Sequence, residues 1–60
     1  MLVKGIISAV AEDGKSAEVI LPEYEDAVTG QLKFYGAPKA VGEFAVVAFF
    51  YHRFDDGVIL

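Results

Sequence analysis

The sequence predicts an all-β domain: a small five-stranded antiparallel OB-like barrel with no substantial helix. Three observations point there. Short runs rich in β-branched and aromatic residues recur along the chain, Asp-Gly turn signals separate them, and no segment of normal helix length carries a helical period. Sixty residues hold one domain, residues 1–60, which excludes a Rossmann unit, a TIM barrel or any two-domain enzyme. Five short strands with tight turns imply a sandwich or a barrel. Closure into a barrel is favoured because it removes the exposed edges that so few strands would leave.

The first strand runs from Leu2 to Val10, with Val3, Ile6, Ile7 and Val10 as its β-branched residues. It ends at Glu12-Asp13-Gly14-Lys15, where Asp-Gly signals a hairpin. Ser16 to Leu21 then alternates, with Ala17, Val19 and Leu21 on one face and Ser16, Glu18 and Ile20 on the other. Pro22 stops this strand because it cannot donate to a ladder. Pro22 to Gly30 reads as an acidic loop carrying Glu23, Glu25 and Asp26. Gln31 to Tyr35 forms the third strand, Leu32 and Phe34 opposed to Gln31, Lys33 and Tyr35, and Gly36-Ala37-Pro38 breaks it. Gly36 to Gly42 has room for one 3₁₀ turn at most. Val41-Gly42-Glu43 turns into the fourth strand, Glu43 to Tyr51. Phe54-Asp55-Asp56-Gly57 is a second Asp-Gly turn, and Val58-Ile59-Leu60 is the short last strand.

The fourth strand is apolar on both faces. Phe44, Val46, Ala48 and Phe50 share one, and Ala45, Val47, Phe49 and Tyr51 share the other. Only one face of a strand in a small barrel lines the core, so the second needs a cover. A second copy of the chain is the simplest one; a central strand buried all round within one subunit is the alternative. Ala45, Val47, Phe49 and Tyr51 are expected to form the self-association face, with the opposite set filling the barrel. A period of two defines two faces without saying which is inside, so the inverse assignment stays open. Size argues for association as well. Burial of apolar surface contributes roughly 85 kcal/mol at ~25 cal/mol/Å², and ordering the chain costs about 90 kcal/mol at ~1.5 per residue. The chain has no cysteine, so no disulfide and no thiolate metal site adds to the balance.

Catalytic chemistry is not expected. The one histidine, His52, lies between Tyr51 and Arg53 near a turn, and the two serines, Ser8 and Ser16, have no G-x-S-x-G elbow. The six glycines form neither a P-loop nor a dinucleotide fingerprint. Glu23-Tyr24-Glu25-Asp26 lacks the spacing and central glycine of an EF-hand loop and reads as solvated. No cofactor and no metal is therefore expected. A net charge of −4, with five scattered cations, argues against nucleic-acid binding, although Lys33 and Tyr35 share a strand face that a weak site could use. The longest apolar run, Phe44 to Tyr51, is too short to span a bilayer, and Met1 to Gly5 has no signal-peptide pattern. The expected location is the cytoplasm, with no membrane partner.

The order of these signals resembles a known family. The carriers are Val3-Lys4-Gly5-Ile6-Ile7-Ser8-Ala9-Val10, Ala17-Glu18-Val19-Ile20-Leu21-Pro22-Glu23 and Ala27-Val28-Thr29-Gly30-Gln31-Leu32. Val41 to Phe50 and Asp56-Gly57-Val58-Ile59-Leu60 continue the series. In order and spacing, over nearly the whole chain, they resemble the N-terminal OB-fold domain of phage baseplate spike proteins, the baseplate assembly protein V family. The resemblance implies a non-enzymatic structural protein of a phage or prophage-like tail. It would be a homo-oligomer, a trimer in that family, docked to other tail or baseplate proteins and carried in the virion or tail-like particle once assembled. No needle domain follows Leu60, so a free-standing module or a reduced relative is expected. The segment before the fourth strand is too short for the helix found in many OB folds. A nucleic-acid-binding small barrel and an SH3-like interaction module are the alternatives.

Overall fold

The computed structural model describes all 60 residues. Its strands are β1 (Leu2–Val10), β2 (Ser16–Leu21), β3 (Ala27–Val28), β4 (Leu32–Phe34), β5 (Phe44–Phe49) and β6 (Gly57–Ile59). They lie in the order β1-β5-β6-β4-β2-β3, and β1 also pairs with β2, so five of them close into a barrel while the two-residue β3 lies beside β2. All pairings are antiparallel except β4 with β6, which is parallel through Lys33–Val58 and Phe34–Ile59. The barrel is thus mixed, and the expectation of a purely antiparallel one is corrected. An odd number of strands cannot alternate in direction around a closed ring, so one neighbouring pair must run the same way.

β1 holds the closure together. Leu2 to Ile6 pairs with β5 and Ile6 to Val10 with β2, so Ile6 belongs to both ladders. The pairing switches from β5 to β2 at this residue, and a register shift between Ile7 and Ala9 marks an irregularity just beyond it. Gly5 permits the close approach of β1 to β2. A Cβ there would collide with Val19 Cγ1 and lie 2.9 Å from the Ile20 carbonyl oxygen.

The turns follow local chemistry. At the first hairpin Gly14 takes φ +71°, its N–H donates to the Ala11 carbonyl at 2.9 Å, and the Lys15 N–H donates to Asp13 Oδ1 at 2.9 Å. A 3₁₀ turn forms at Pro22–Tyr24, inside the segment expected to be an acidic loop, and none forms between Gly36 and Gly42. Pro22 suits its first position because its fixed φ is already helical. After β5 the chain reverses at Phe50-Tyr51-His52-Arg53. Tyr51 and His52 have φ of +59° and +56°, and the Phe50 N–H reaches the Asp56 carbonyl at 2.8 Å. β5 therefore ends at Phe49, and Tyr51 belongs to the turn.

Ten buried apolar residues form the core: Val3 and Ile7 of β1, Ala17, Val19 and Leu21 of β2, Leu32 of β4, Ala45, Val47 and Phe49 of β5, and Ile59 of β6. On β2 the wholly apolar face of Ala17, Val19 and Leu21 is the buried one. The β5 face is the inverse of the expectation: Ala45, Val47 and Phe49 line the barrel, while Phe44, Val46 and Phe50 are exposed. Register decides it. Val3 stands opposite Val47, Gly5 opposite Ala45 and Lys4 opposite Val46. Directly opposed residues share a face, so Lys4, which must keep its charge in water, carries Val46 outward with it. One end of the barrel is closed by rings. Phe54 meets Phe49 at 5.1 Å and Tyr24 at 5.0 Å between centroids, the latter edge-on.

Candidate interaction face

On the outside of β1, Leu2, Lys4 and Ile6 alternate with the core residues, and they stand opposite Ala48, Val46 and Phe44 of β5. Leu60 joins them because its N–H donates to the Val46 carbonyl at 2.8 Å, pinning the last residue alongside β5. The result is an apolar face on which Leu2, Val46 and Leu60 are exposed and Phe44 retains 81% of its free surface. Phe44 sits between two shallow grooves. One is lined by Lys4, Lys39, Phe44, Ala45, Val46 and Leu60. The other passes Lys4, Ile6, Pro22 and Glu23.

Neither lysine is paired. The protein's one ion pair joins Arg53 to Asp55 in the turn before β6, with Nε and Nη2 each 3.2 Å from a carboxylate oxygen. The hydrogen bond and then the charge of Arg53 hold the Asp55 carboxyl below its ordinary value, and Asp55 in turn raises Arg53. Lys4 and Lys39 thus bring positive charge to the edge of an apolar groove on a chain of net charge −4, and Glu23 shares the neighbouring groove with Lys4.

Of the residues expected at a self-association face, Ala45, Val47 and Phe49 are inside the barrel and Tyr51 projects from a turn, so they do not form one surface. The exposed face instead gathers Leu2, Phe44, Val46 and Leu60. A signal for it existed in Lys4, whose charge marks the outer face of the first strand. Only the pairing register transfers that mark to β5.

Other groups singled out by sequence are dispersed. His52 is exposed in its turn. Ser16 Oγ donates to Gln31 Oε1 at 3.0 Å, and Gln31 Nε2 donates to Glu18 Oε2 at 3.3 Å, so the outer face of β2 is a polar network containing a carboxylate. No three His, Asp or Glu side chains converge as metal ligands. No helix is long and apolar enough to cross a membrane.

Fold and face together define a small closed β-barrel with an uncovered apolar, lysine-edged strand face. Compared with protein-family models, curated proteins and solved structures, the chain matches none.

Proposed function

We propose that this chain is a non-enzymatic assembly module of a phage or prophage-like tail baseplate. It is an OB-like barrel that associates with its own copies, as a trimer, and docks to other tail proteins. It is made in the cytoplasm and carried in the assembled particle. The observation that carries the reading is the uncovered face of β5, where Phe44 and Val46 lie beside Leu2 and Leu60 on a domain too small to leave such a surface idle. The in-order resemblance of the strand signals to spike-protein OB domains supplies the setting.

The charge pattern supports this reading over nucleic-acid binding. OB barrels that bind single strands use the face of their second and third strands and the adjoining loops. Here that region carries Glu18, Glu12, Asp13, Asp55 and Asp56 against Lys15, Lys33 and Arg53, which is no electrostatic funnel for phosphates.

Light scattering tests the association. Wild type is expected to elute as an oligomer at micromolar concentration, and Phe44→Glu as a folded monomer. A wild-type monomer sinks the self-association. The baseplate setting is tested by the neighbouring genes: a tail-sheath, hub or baseplate-wedge gene supports it, and a locus without any tail gene overturns it.

A further inference from the structure

Resting on the self-association proposed above, we infer that the copies associate head to tail, with the acidic loop of one seated in the lysine-edged groove of the next. Two of the chain's five cations, Lys4 and Lys39, line one groove together with Phe44, Val46 and Leu60, and neither has an ion-pair partner. Two-fold pairing of this face with itself would bring lysines of both copies together over apolar side chains. Water is thin there, and like charges repel most strongly. An acidic surface away from this face is the better match for the groove, and an interface between two different patches is heterologous.

The same chain carries a complementary patch. Glu25 and Asp26 are exposed between the 3₁₀ turn and β3, and neither carboxylate makes a hydrogen bond or ion pair within the chain. Both residues adopt the left-handed conformation, with φ of +57° and +58°. The loop is flanked by exposed apolar side chains, Tyr24 and Val28. Acid in the middle and apolar at both ends matches a groove with lysines at its edge and Phe44, Val46 and Leu60 along its wall. Glu23 is not counted among the contacts, since it already lines the neighbouring groove of its own chain. A heterologous contact of this kind closes into a ring when the rotation between copies divides a full turn, and a trimer is such a ring.

Charge reversal tests the arrangement. The variants are Lys4→Glu with Lys39→Glu, Glu25→Lys with Asp26→Lys, and the chain carrying all four changes. Each is checked for folding by circular dichroism and sized by light scattering and sedimentation. Each double variant is expected to weaken association at least tenfold and run as a folded monomer. The fourfold variant, with charges exchanged on both patches, is expected to recover the wild-type mass. If Glu25→Lys with Asp26→Lys keeps the wild-type mass while Phe44→Glu is monomeric, the head-to-tail arrangement is overturned and self-association through this face stands. A monomeric wild type overturns both.

Discussion

Val19 and Thr29 face each other across a gap in the sheet and close it with two hydrogen bonds. The Thr29 N–H donates to the Val19 carbonyl at 2.9 Å, and the Val19 N–H donates to Thr29 Oγ1 at 3.0 Å. The gap arises because β2 pairs with β4 through Ser16 and Ala17 but with β3 through Ile20 and Leu21. Val19 lies between, fully buried, and a hydroxyl stands where a strand carbonyl would be. The same hydroxyl donates to the Gly30 carbonyl at 2.8 Å. Thr29→Val keeps the shape and the backbone bond but removes both bonds of the hydroxyl, leaving the buried Val19 N–H without a partner. The expected loss is about 1–3 kcal/mol, or roughly 4–8 °C in melting temperature per kcal/mol for a domain of this size. Thr29→Ser keeps the hydroxyl and is expected to lose less. Thermal unfolding followed by circular dichroism measures both.

The two faces of β5 separate by mutation. Val47→Ala opens a cavity inside the barrel and is expected to cost about 2–3 kcal/mol. Phe49→Glu places a carboxylate among core side chains and is expected to leave the chain unfolded. Phe44→Glu is expected to keep the fold, because Phe44 projects into water. Melting temperatures of the three variants decide it, and equal losses at Phe44 and Phe49 would contradict the inside-out assignment.

Three glycines are expected to respond differently to alanine. At Gly5 the new methyl meets Val19 and the Ile20 carbonyl, and at Gly57 it meets the Ala48 carbonyl and the Phe49 ring, so each change strains the barrel wall by about 1–3 kcal/mol or more. At Gly14 nothing lies within 4 Å, and the only obstacle is a φ of +71°, worth about 1 kcal/mol. Urea unfolding should rank Gly14→Ala as the mildest of the three.

The Arg53–Asp55 pair makes stability slightly sensitive to acid. Because the folded state depresses the Asp55 carboxyl, its contribution is fully present above the ordinary value of 3.8 and is lost as pH falls through the lowered value. Both side chains are mostly in water, so the effect is small and screened by salt. Asp55→Asn is expected to leave the melting temperature near neutrality almost unchanged and to reduce its decline in acid. An unaltered acid limb in the variant would remove Asp55 from the account.

Much of the barrel was legible along the chain because strand chemistry is local. Asp13-Gly14, Pro22 and Val41-Gly42-Glu43 punctuate it near where strands end or begin, and the alternation of Ala17, Val19 and Leu21 marks the core face of β2. The parallel β4–β6 pair was less visible, although it follows from closing five strands at all. The reversal at Tyr51 and His52 had no signal, since two ordinary residues adopt a left-handed conformation that favours glycine and asparagine. The candidate face was half legible. An excess of apolar surface on β5 was plain, but Val46 and Val47 are equally apolar and differ by one step in a period of two.

Composition, strand positions and the partition of each strand into two faces are properties of neighbouring residues, and the sequence determines them alone. Which face turns inward depends on a partner distant in the chain. Lys4 opposite Val46 and Val3 opposite Val47 bring together residues more than forty positions apart. Gly5, by leaving room for Val19 and the Ile20 carbonyl, lets β1 lie close against β2 where its pairing passes from β5 to β2. Only the closed barrel makes Val47 core and Phe44 surface, because the inward face is the one that the other four strands cover.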